Sequence, residues 1–165
     1  MSDYQLRQFE WRDIPAITAI YKHYVDNTAI SFDLEAPSEA MMAEKFASIL
    51  GLAHPLIVAE TTGSVAGYAY ASYFRPRLAY RYTCENSIYL HPDQKGRGLG
   101  RVLFTELLAQ ARSYGFQQML AGITADNVDS IAFHEKFGFE RAGYYKSVGY
   151  KFDRWHDIVH LQLAL

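Results

Sequence analysis

One cysteine in 165 residues, five prolines, no run of eighteen apolar residues and no excess of positive charge set the first limits on this chain. The lone thiol, Cys84, can form no internal disulfide, so a reducing, cytoplasmic setting is expected. Without a long apolar run nothing spans a bilayer as a helix, and the N-terminal stretch lacks the basic, then apolar, then small-residue order of a secretory leader. Sixteen Lys and Arg against eighteen Asp and Glu leave a formal charge of -2. A protein that grips nucleic acid through many phosphate contacts needs more positive surface than that. No repeat, low-complexity tract or linker divides the sequence, which reads as one domain over residues 1–165. Half of the residues are apolar and 21% are charged, enough for a proper core.

What is present is concentrated in His91-Pro92-Asp93-Gln94-Lys95-Gly96-Arg97-Gly98-Leu99-Gly100. This segment follows the strand-like run 87–90 and leads into a helical pattern, so three glycines and two cations stand where a strand becomes a helix. Glycines let backbone N–H groups crowd around a diphosphate without Cβ clashes, and the first turn of a helix adds unpaired donors and a partial positive charge. Lys95, Arg97 and Arg101 add full charges. A turn with solvated basic residues is the alternative for such a loop. The glycines fall at Gly96, Gly98 and Gly100, with Arg101 where a dinucleotide fingerprint has its third glycine, and no GxxxxGK[ST] occurs. A nicotinamide cofactor and a P-loop nucleotide hydrolase are both disfavoured.

Residues 4–9 alternate like an edge strand; Asp13 and Pro15 open a helix through Ile17, Ile20, Tyr21, Tyr24 and Val25; Ser38 is the capping candidate for a second helix to Leu50. Strands are expected at 56–61, 65–74 and 81–90, as an antiparallel meander. After the glycine loop, Leu99, Val102, Leu103, Leu107 and Ala111 mark one face of a helix that Gly115 stops, and 118–123 reads as a strand. Asn127 can cap a short helix to Lys136, and strands at 139–145 and 155–163 complete the chain. The order implies an α/β fold, a mixed sheet covered by helices.

Two further constellations carry less. A cysteine hydrolase on Cys84 needs a positioned histidine, and Cys84 reads more simply as a small packing residue. His156, Asp157 and His160 sit close in sequence, but in a strand Asp157 points away from the two histidines, which leaves too few metal ligands. No metal is expected.

The residues 95–100 of the loop, Asn127 at a helix start, and His134-Glu135-Lys136-Phe137-Gly138-Phe139 together resemble the GCN5-related N-acetyltransferases (GNAT). Two segments, Cys84-Glu85-Asn86-Ser87-Ile88-Tyr89-Leu90 and Val148-Gly149-Tyr150-Lys151-Phe152-Asp153-Arg154-Trp155, resemble the phosphinothricin and methionine sulfoximine acetyltransferase branch. The chain departs from that pattern with Lys95 where Gln or Arg is usual, and with His134 where most of the family has the tyrosine that reprotonates the departing thiolate, although other members of the branch share the histidine. Asp153 and His156 also replace residues that are more often Gly and apolar.

The resemblance implies a GNAT fold, a mostly antiparallel sheet of six or seven strands flanked by about four helices, and acetyl-CoA as co-substrate. Pantetheine would lie along the strand edge at Ile88, Tyr89 and Leu90, with the amide of Leu90 polarising the thioester carbonyl. Lys95, Gly96, Arg97, Gly98, Leu99, Gly100 and Arg101 would hold the pyrophosphate, and Asn127 would touch pantetheine or the acceptor side of the cleft. The implied reaction is attack by a neutral amine, for which Glu85 is the candidate base, directly or through a water, and His134 either an acid or a ligand for the substrate's acid group. Arg75 with Arg77 beside it is the candidate clamp for a carboxylate or phosphinate; Phe32, Tyr73 and Trp155 would wall the pocket, with Glu85, Asn86 and Ser87 on the acceptor side. The acceptor would be a small amine, most simply an amino acid analogue, with no nucleic acid or membrane partner and a homodimeric assembly. A polyamine or protein amine acceptor, or a non-catalytic CoA-binding module, is the alternative.

Overall fold

Strand β1 (Gln5–Gln8) opens the computed structural model, which describes residues 4–165. A short turn then leads into helices α1 (Ile14–Asn27) and α2 (Glu39–Gly51). The meander follows as β2 (Leu56–Thr61), β3 (Ser64–Tyr73) and β4 (Thr83–Leu90), and the chain continues through α3 (Leu99–Tyr114), β5 (Gln118–Thr124), α4 (Val128–Lys136), β6 (Glu140–Lys151) and β7 (Arg154–Ala164). Ser38 caps α2 by accepting from the Met41 amide, and Asn127 caps α4 by accepting from Ser130 at 3.3 Å. Each satisfies an amide that the helix leaves unpaired. Asp13 serves differently from a helix cap: its carboxylate takes Arg7 and the Glu10 amide, each at 2.8 Å, and ties the start of α1 to β1.

The seven strands form one sheet in the order β1-β2-β3-β4-β5-β7-β6, antiparallel except where β4 meets β5. Strand alternation divides the core between two faces. On one, Leu56, Val58, Tyr68 and Tyr70 pack under α1 and α2 with Ile17, Tyr24, Met42 and Phe46. On the other, Ile57, Ala69, Cys84, Met119, Ile123 and Leu161 pack under α3 and α4, where Leu103, Phe104 and Leu107 are fully buried. Cys84 thus serves the core, and burial pushes its thiol up to about 12.

The last hairpin departs from expectation. Alternation fades after Tyr145 in the sequence, yet β6 runs on to Lys151. Its register with β7 slips between Tyr145 and Gly149, where Ser147 adopts a φ of 50°, so the loss of period marks a bulge inside a strand and not its end. Lys151 pairs with Arg154 across a two-residue turn in which Phe152 and Asp153 have φ of 55° and 56°, the doubly left-handed geometry that suits a right-twisted hairpin.

Candidate active site

β4 and β5 pair only through Thr83–Gln118, Cys84–Met119 and Glu85–Leu120. Beyond Glu85, β4 stays with β3 as far as Leu90, while β5 follows β7 to Thr124, so the sheet opens into a wedge. Which backbone groups face the wedge follows from the ladder. The Phe74 amide bonds to Thr83 O at 3.1 Å and the His91 amide to Ala66 O at 2.8 Å, which turns the odd-numbered residues of β4 toward β3. The even-numbered residues, Ile88 and Leu90 among them, therefore present their amides and carbonyls to the gap. The Tyr24 hydroxyl donates to Leu90 O at 2.6 Å and occupies that carbonyl. Tyr89 differs from the sequence expectation: its backbone pairs with Tyr68, and its ring is packed against Tyr21, Tyr24 and Tyr68.

At the mouth of the wedge lies the glycine loop. Gly96 and Gly98 have φ of 74° and 82°, a conformation that side chains rarely adopt, and a Cβ on either would meet nothing within 4 Å. Gly98 caps α3 without any side-chain bond, and among the described residues the amides of Gly96, Arg97 and Gly98 bond to no backbone carbonyl. Consecutive free amides at a helix start form an anion cradle. Gly100, in the first turn of α3, sits beside Leu90 and Phe133, where an added Cβ would make ordinary contacts of 3.5 and 3.7 Å. Lys95 lies over the Tyr24 ring at 4.8 Å, and among the described residues Lys95, Arg97 and Arg101 pair with no carboxylate. The cradle fits a diphosphate.

Glu85 stands at the apex of the wedge, on the α1–α2 face of the sheet. It lines three adjoining cavities: about 170 Å³ within the wedge, about 370 Å³ toward β6 and β7, and about 450 Å³ beside α2. Burial raises its carboxyl above the ordinary range, opposed by nearby His160 and by the Gly122 amide. Gly122 leaves room here: a Cβ would stand 3.2 Å from Glu85 Oε1, so a larger residue would push the carboxylate by a few tenths of an ångström. Gly122 carries no functional reading in the sequence, and His160 enters there only as a discounted metal ligand beside His156 and Asp157. An isolated glycine inside a strand was the available signal.

His134 is buried on α4, and both ring nitrogens meet oxygens: Nδ1 and Ser130 O at 2.8 Å, Nε2 and Asn86 Oδ1 at 3.2 Å. Asn86 in turn donates to Leu120 O at 3.1 Å and clips β4 to β5 just past their last register pair. Burial lowers the His134 pKa, with the Ser130 bond opposing. The neutral ring so favoured has one proton for two oxygen neighbours, and it can accept a second. Asn86, Asn127 and His134 all line the wedge cavity.

The acceptor-side residues divide. Ser87 and Tyr73 share the cavity beside α2 with Glu85, and Phe32 shares the one toward β6 and β7. Phe32 is held from beneath: its ring lies over Gly149, where a Cβ would fall 2.2 Å away, and the Lys151 ammonium donates to Val25 O and Ser31 O at 2.6 and 2.8 Å. Arg75 lies over the Phe74 ring at 4.9 Å and lines none of the cavities around Glu85; the cation that does is Lys45, 5.2 Å from the Tyr70 ring. Trp155 is likewise off the site, packed edge-on to Tyr150 and 62% exposed. In the hairpin, Asp157 accepts from Tyr144 and, at 2.7 Å, from the Ser147 amide, while His156 meets Lys151 O at 2.9 Å.

Comparison with known proteins bears on this arrangement. The model of the acetyltransferase (GNAT) domain family matches residues 6–160. A phosphinothricin N-acetyltransferase of Alcaligenes faecalis is 43% identical over 154 residues, 93% of this chain and 78% of that protein. An L-methionine sulfoximine/L-methionine sulfone acetyltransferase of Salmonella typhimurium is 40% identical over 154 residues, 93% of this chain and 90% of its own. Among solved structures, a phosphinothricin acetyltransferase of Sinorhizobium meliloti in complex with acetyl-CoA superposes with a TM-score of 0.95 at 42% identity, covering 99% of this chain and 89% of the other. The yncA protein of Salmonella typhimurium, determined with its cofactor acetyl-CoA, gives 0.96 at 36% identity, covering 99% and 95%.

Proposed function

The chain belongs to the GNAT acetyltransferases and is an acetyl-CoA-dependent N-acetyltransferase; on that footing we propose direct transfer of the acetyl group to the α-amine of a small amino acid analogue of the phosphinothricin or methionine sulfoximine type, with Glu85 as general base. The observation that carries the reading is the wedge, where a half-buried carboxylate with a raised pKa adjoins backbone amides left free by strand separation. Acetyl-CoA supplies an activated acetyl group. The amides of Gly96, Arg97 and Gly98, with Lys95 and Arg101, would hold its diphosphate, and the Ile88 and Leu90 backbones its pantetheine arm. The Leu90 amide is the donor for the thioester oxygen, and Tyr24, by occupying Leu90 O, keeps that donor oriented.

Glu85 takes the proton of the attacking amine. An α-ammonium with a pKa near 8 costs roughly 1 to 1.5 kcal/mol to deprotonate at pH 7, whereas a lysine ammonium costs about 4.6, which favours α-amino acceptors. Burial of Glu85 brings its basicity closer to that of the amine. His134, whose neutral ring can take up a second proton, would relay a proton from its place beside Asn86 to the leaving sulfur. Phe32, Tyr73, Asn86 and Ser87 border the acceptor. A carboxylate or phosphinate on it would be met by Arg75 or by Lys45, two readings that separate cleanly: the substitution that raises acceptor KM identifies the ligand.

Tyr144, Tyr145, Val148, Tyr150, Phe152 and Trp155 are each more than half exposed along the last hairpin and supply the apolar surface for a homodimer, which light scattering would reveal.

The test is a turnover screen that reads free thiol from acetyl-CoA with phosphinothricin, methionine sulfoximine, methionine sulfone, a polyamine and a lysine peptide. Turnover of the first three above the others is expected. Binding of acetyl-CoA without turnover of any amine would mark a CoA-binding module instead.

A further inference from the structure

Two of the chain's six histidines, His134 and His160, line cavities around the wedge, and a third, His156, packs against Phe32. His134 and His156 each bond a backbone carbonyl. His160 bonds no described residue through either ring nitrogen, so the fold does not use its polar edge. It is nonetheless given a slot. In register it faces Gly122 on β5 and Gly143 on β6, two positions without side chains. The Tyr145 ring closes the slot edge-on at 5.3 Å. Glu85 is on the far side of Gly122. A single methyl group on that glycine would stand 3.2 Å from Glu85 Oε1, 3.7 Å from His160 Cε1 and 3.9 Å from His160 Nε2. Three neighbouring strands thus bring a carboxylate and an imidazole to either side of one missing side chain, and both groups line the same cavity of about 370 Å³.

We propose that His160 is a positioning residue for the Glu85 base: across Gly122 its imidazole, when protonated, holds the Glu85 carboxylate ionised and sets the lower pH limit at which Glu85 can take a proton from the acceptor. The groups that face His160 are few. Glu85 comes from β4 and Tyr145 from β6; Gly122 and Gly143 contribute none; His156 lies four residues away along β7, bonded to Lys151 O and packed against Phe32 at 5.9 Å. Glu140, paired with Gln162, is the other carboxylate on this face of the hairpin, and Glu85 is the one that lines a cavity with His160. No covalent step is added: the acceptor's proton moves to Glu85 and then to solvent, with His160 acting through its charge. A positive charge facing a carboxylate across one missing side chain favours the ionised carboxylate and opposes the upward pull of burial on Glu85.

The role rests on Glu85 being the base, and two measurements keep the ideas apart. In the first, kcat/KM is followed against pH for the wild type, H160F and H160K. Phe keeps the packing against Tyr145 without the charge, so the acid limb moves upward by about one pH unit; Lys restores the charge and moves it back. An acid limb that stays put in H160F, whatever happens to the plateau, overturns the proposal, since a purely structural role lowers the rate without shifting the limb. In the second, which needs no turnover and no His160 variant, the imidazole of His160 is titrated by NMR in the wild type and in E85Q, its resonance assigned through the backbone of β7. Coupling is reciprocal, so removing the carboxylate lowers the His160 midpoint. An unchanged midpoint refutes the pair even if H160F fails to fold. If E85Q retains full activity while the midpoint falls, the pairing stands and the base assignment fails.

Discussion

Glu85→Gln tests the chemistry with little disturbance of shape. Gln has the volume of Glu and can still accept from the Gly122 amide, so the wedge and the glycine loop keep their geometry. Acetyl-CoA affinity should stay within twofold of the wild type. What is lost is a base, a contribution of about 10² to 10⁴ in rate, or roughly 2.7 to 5.5 kcal/mol in the barrier. The loss should depend on pH in a calculable way. Without Glu85 the reaction waits for amine already neutral, about a tenth of an α-amine at pH 7 and about nine tenths at pH 9, so kcat/KM of the variant should climb about tenfold over that interval. Stability should move the other way. Burial raises the carboxyl pKa in the native state, so between the ordinary and the raised value the native protein binds more protons than the unfolded chain and loses stability as pH rises. The cost is fully present above the raised pKa and absent below the ordinary one. Gln removes it, so at pH 7 the variant should melt above the wild type, and the two curves should converge toward pH 4. The assay is thiol release with stopped acetyl-CoA consumption, paired with thermal scans at both pH values. A variant within twofold of wild-type kcat at pH 7 refutes the base; one that melts lower at pH 7 refutes the account of its burial.

Other outcomes follow from single positions. Gly98→Ala places a side chain at a φ of 82° with no neighbour within 4 Å, so the fold should lose only about 1 to 2 kcal/mol of backbone strain, a few degrees in Tm, while calorimetry shows acetyl-CoA binding weakened at least tenfold; unchanged affinity would contradict the cradle. Gly149→Ala puts a carbon 2.2 to 2.9 Å from the Phe32 ring, which must move, so acceptor KM should rise and acetyl-CoA KM hold. With its thiol buried and its pKa pushed up to about 12, Cys84 should resist a maleimide at pH 7.5 until denaturant is added, and activity should survive the exposure. Tyr24→Phe leaves Leu90 O without its 2.6 Å partner in a partly buried place, a loss of about 1 to 3 kcal/mol in urea unfolding, with a fall in kcat where the freed carbonyl no longer orients the strand end.

Much of this protein is written locally. The loop 95–100, the caps Ser38 and Asn127, the stop at Gly115 and the helical faces of α1 and, apart from the exposed Val102, of α3 are set by neighbours within a few residues, because capping, glycine geometry and helical periodicity act over one or two turns. The wedge is another matter. It arises because β4 and β5 each have a better partner on their outer side, and no spacing along the chain states where a parallel register ends. The same holds for Tyr24 on Leu90, 66 residues apart, and for Lys151 reaching the segment before Phe32 from 120 residues away. A period that fades at Lys146 cannot tell a bulge from a strand end, since both interrupt alternation; the pairing of β6 with β7 decides it. Gly122 and His160 are ordinary residues in sequence. They become a site only where three strands lie side by side, because a missing Cβ matters only when something from another strand occupies its space.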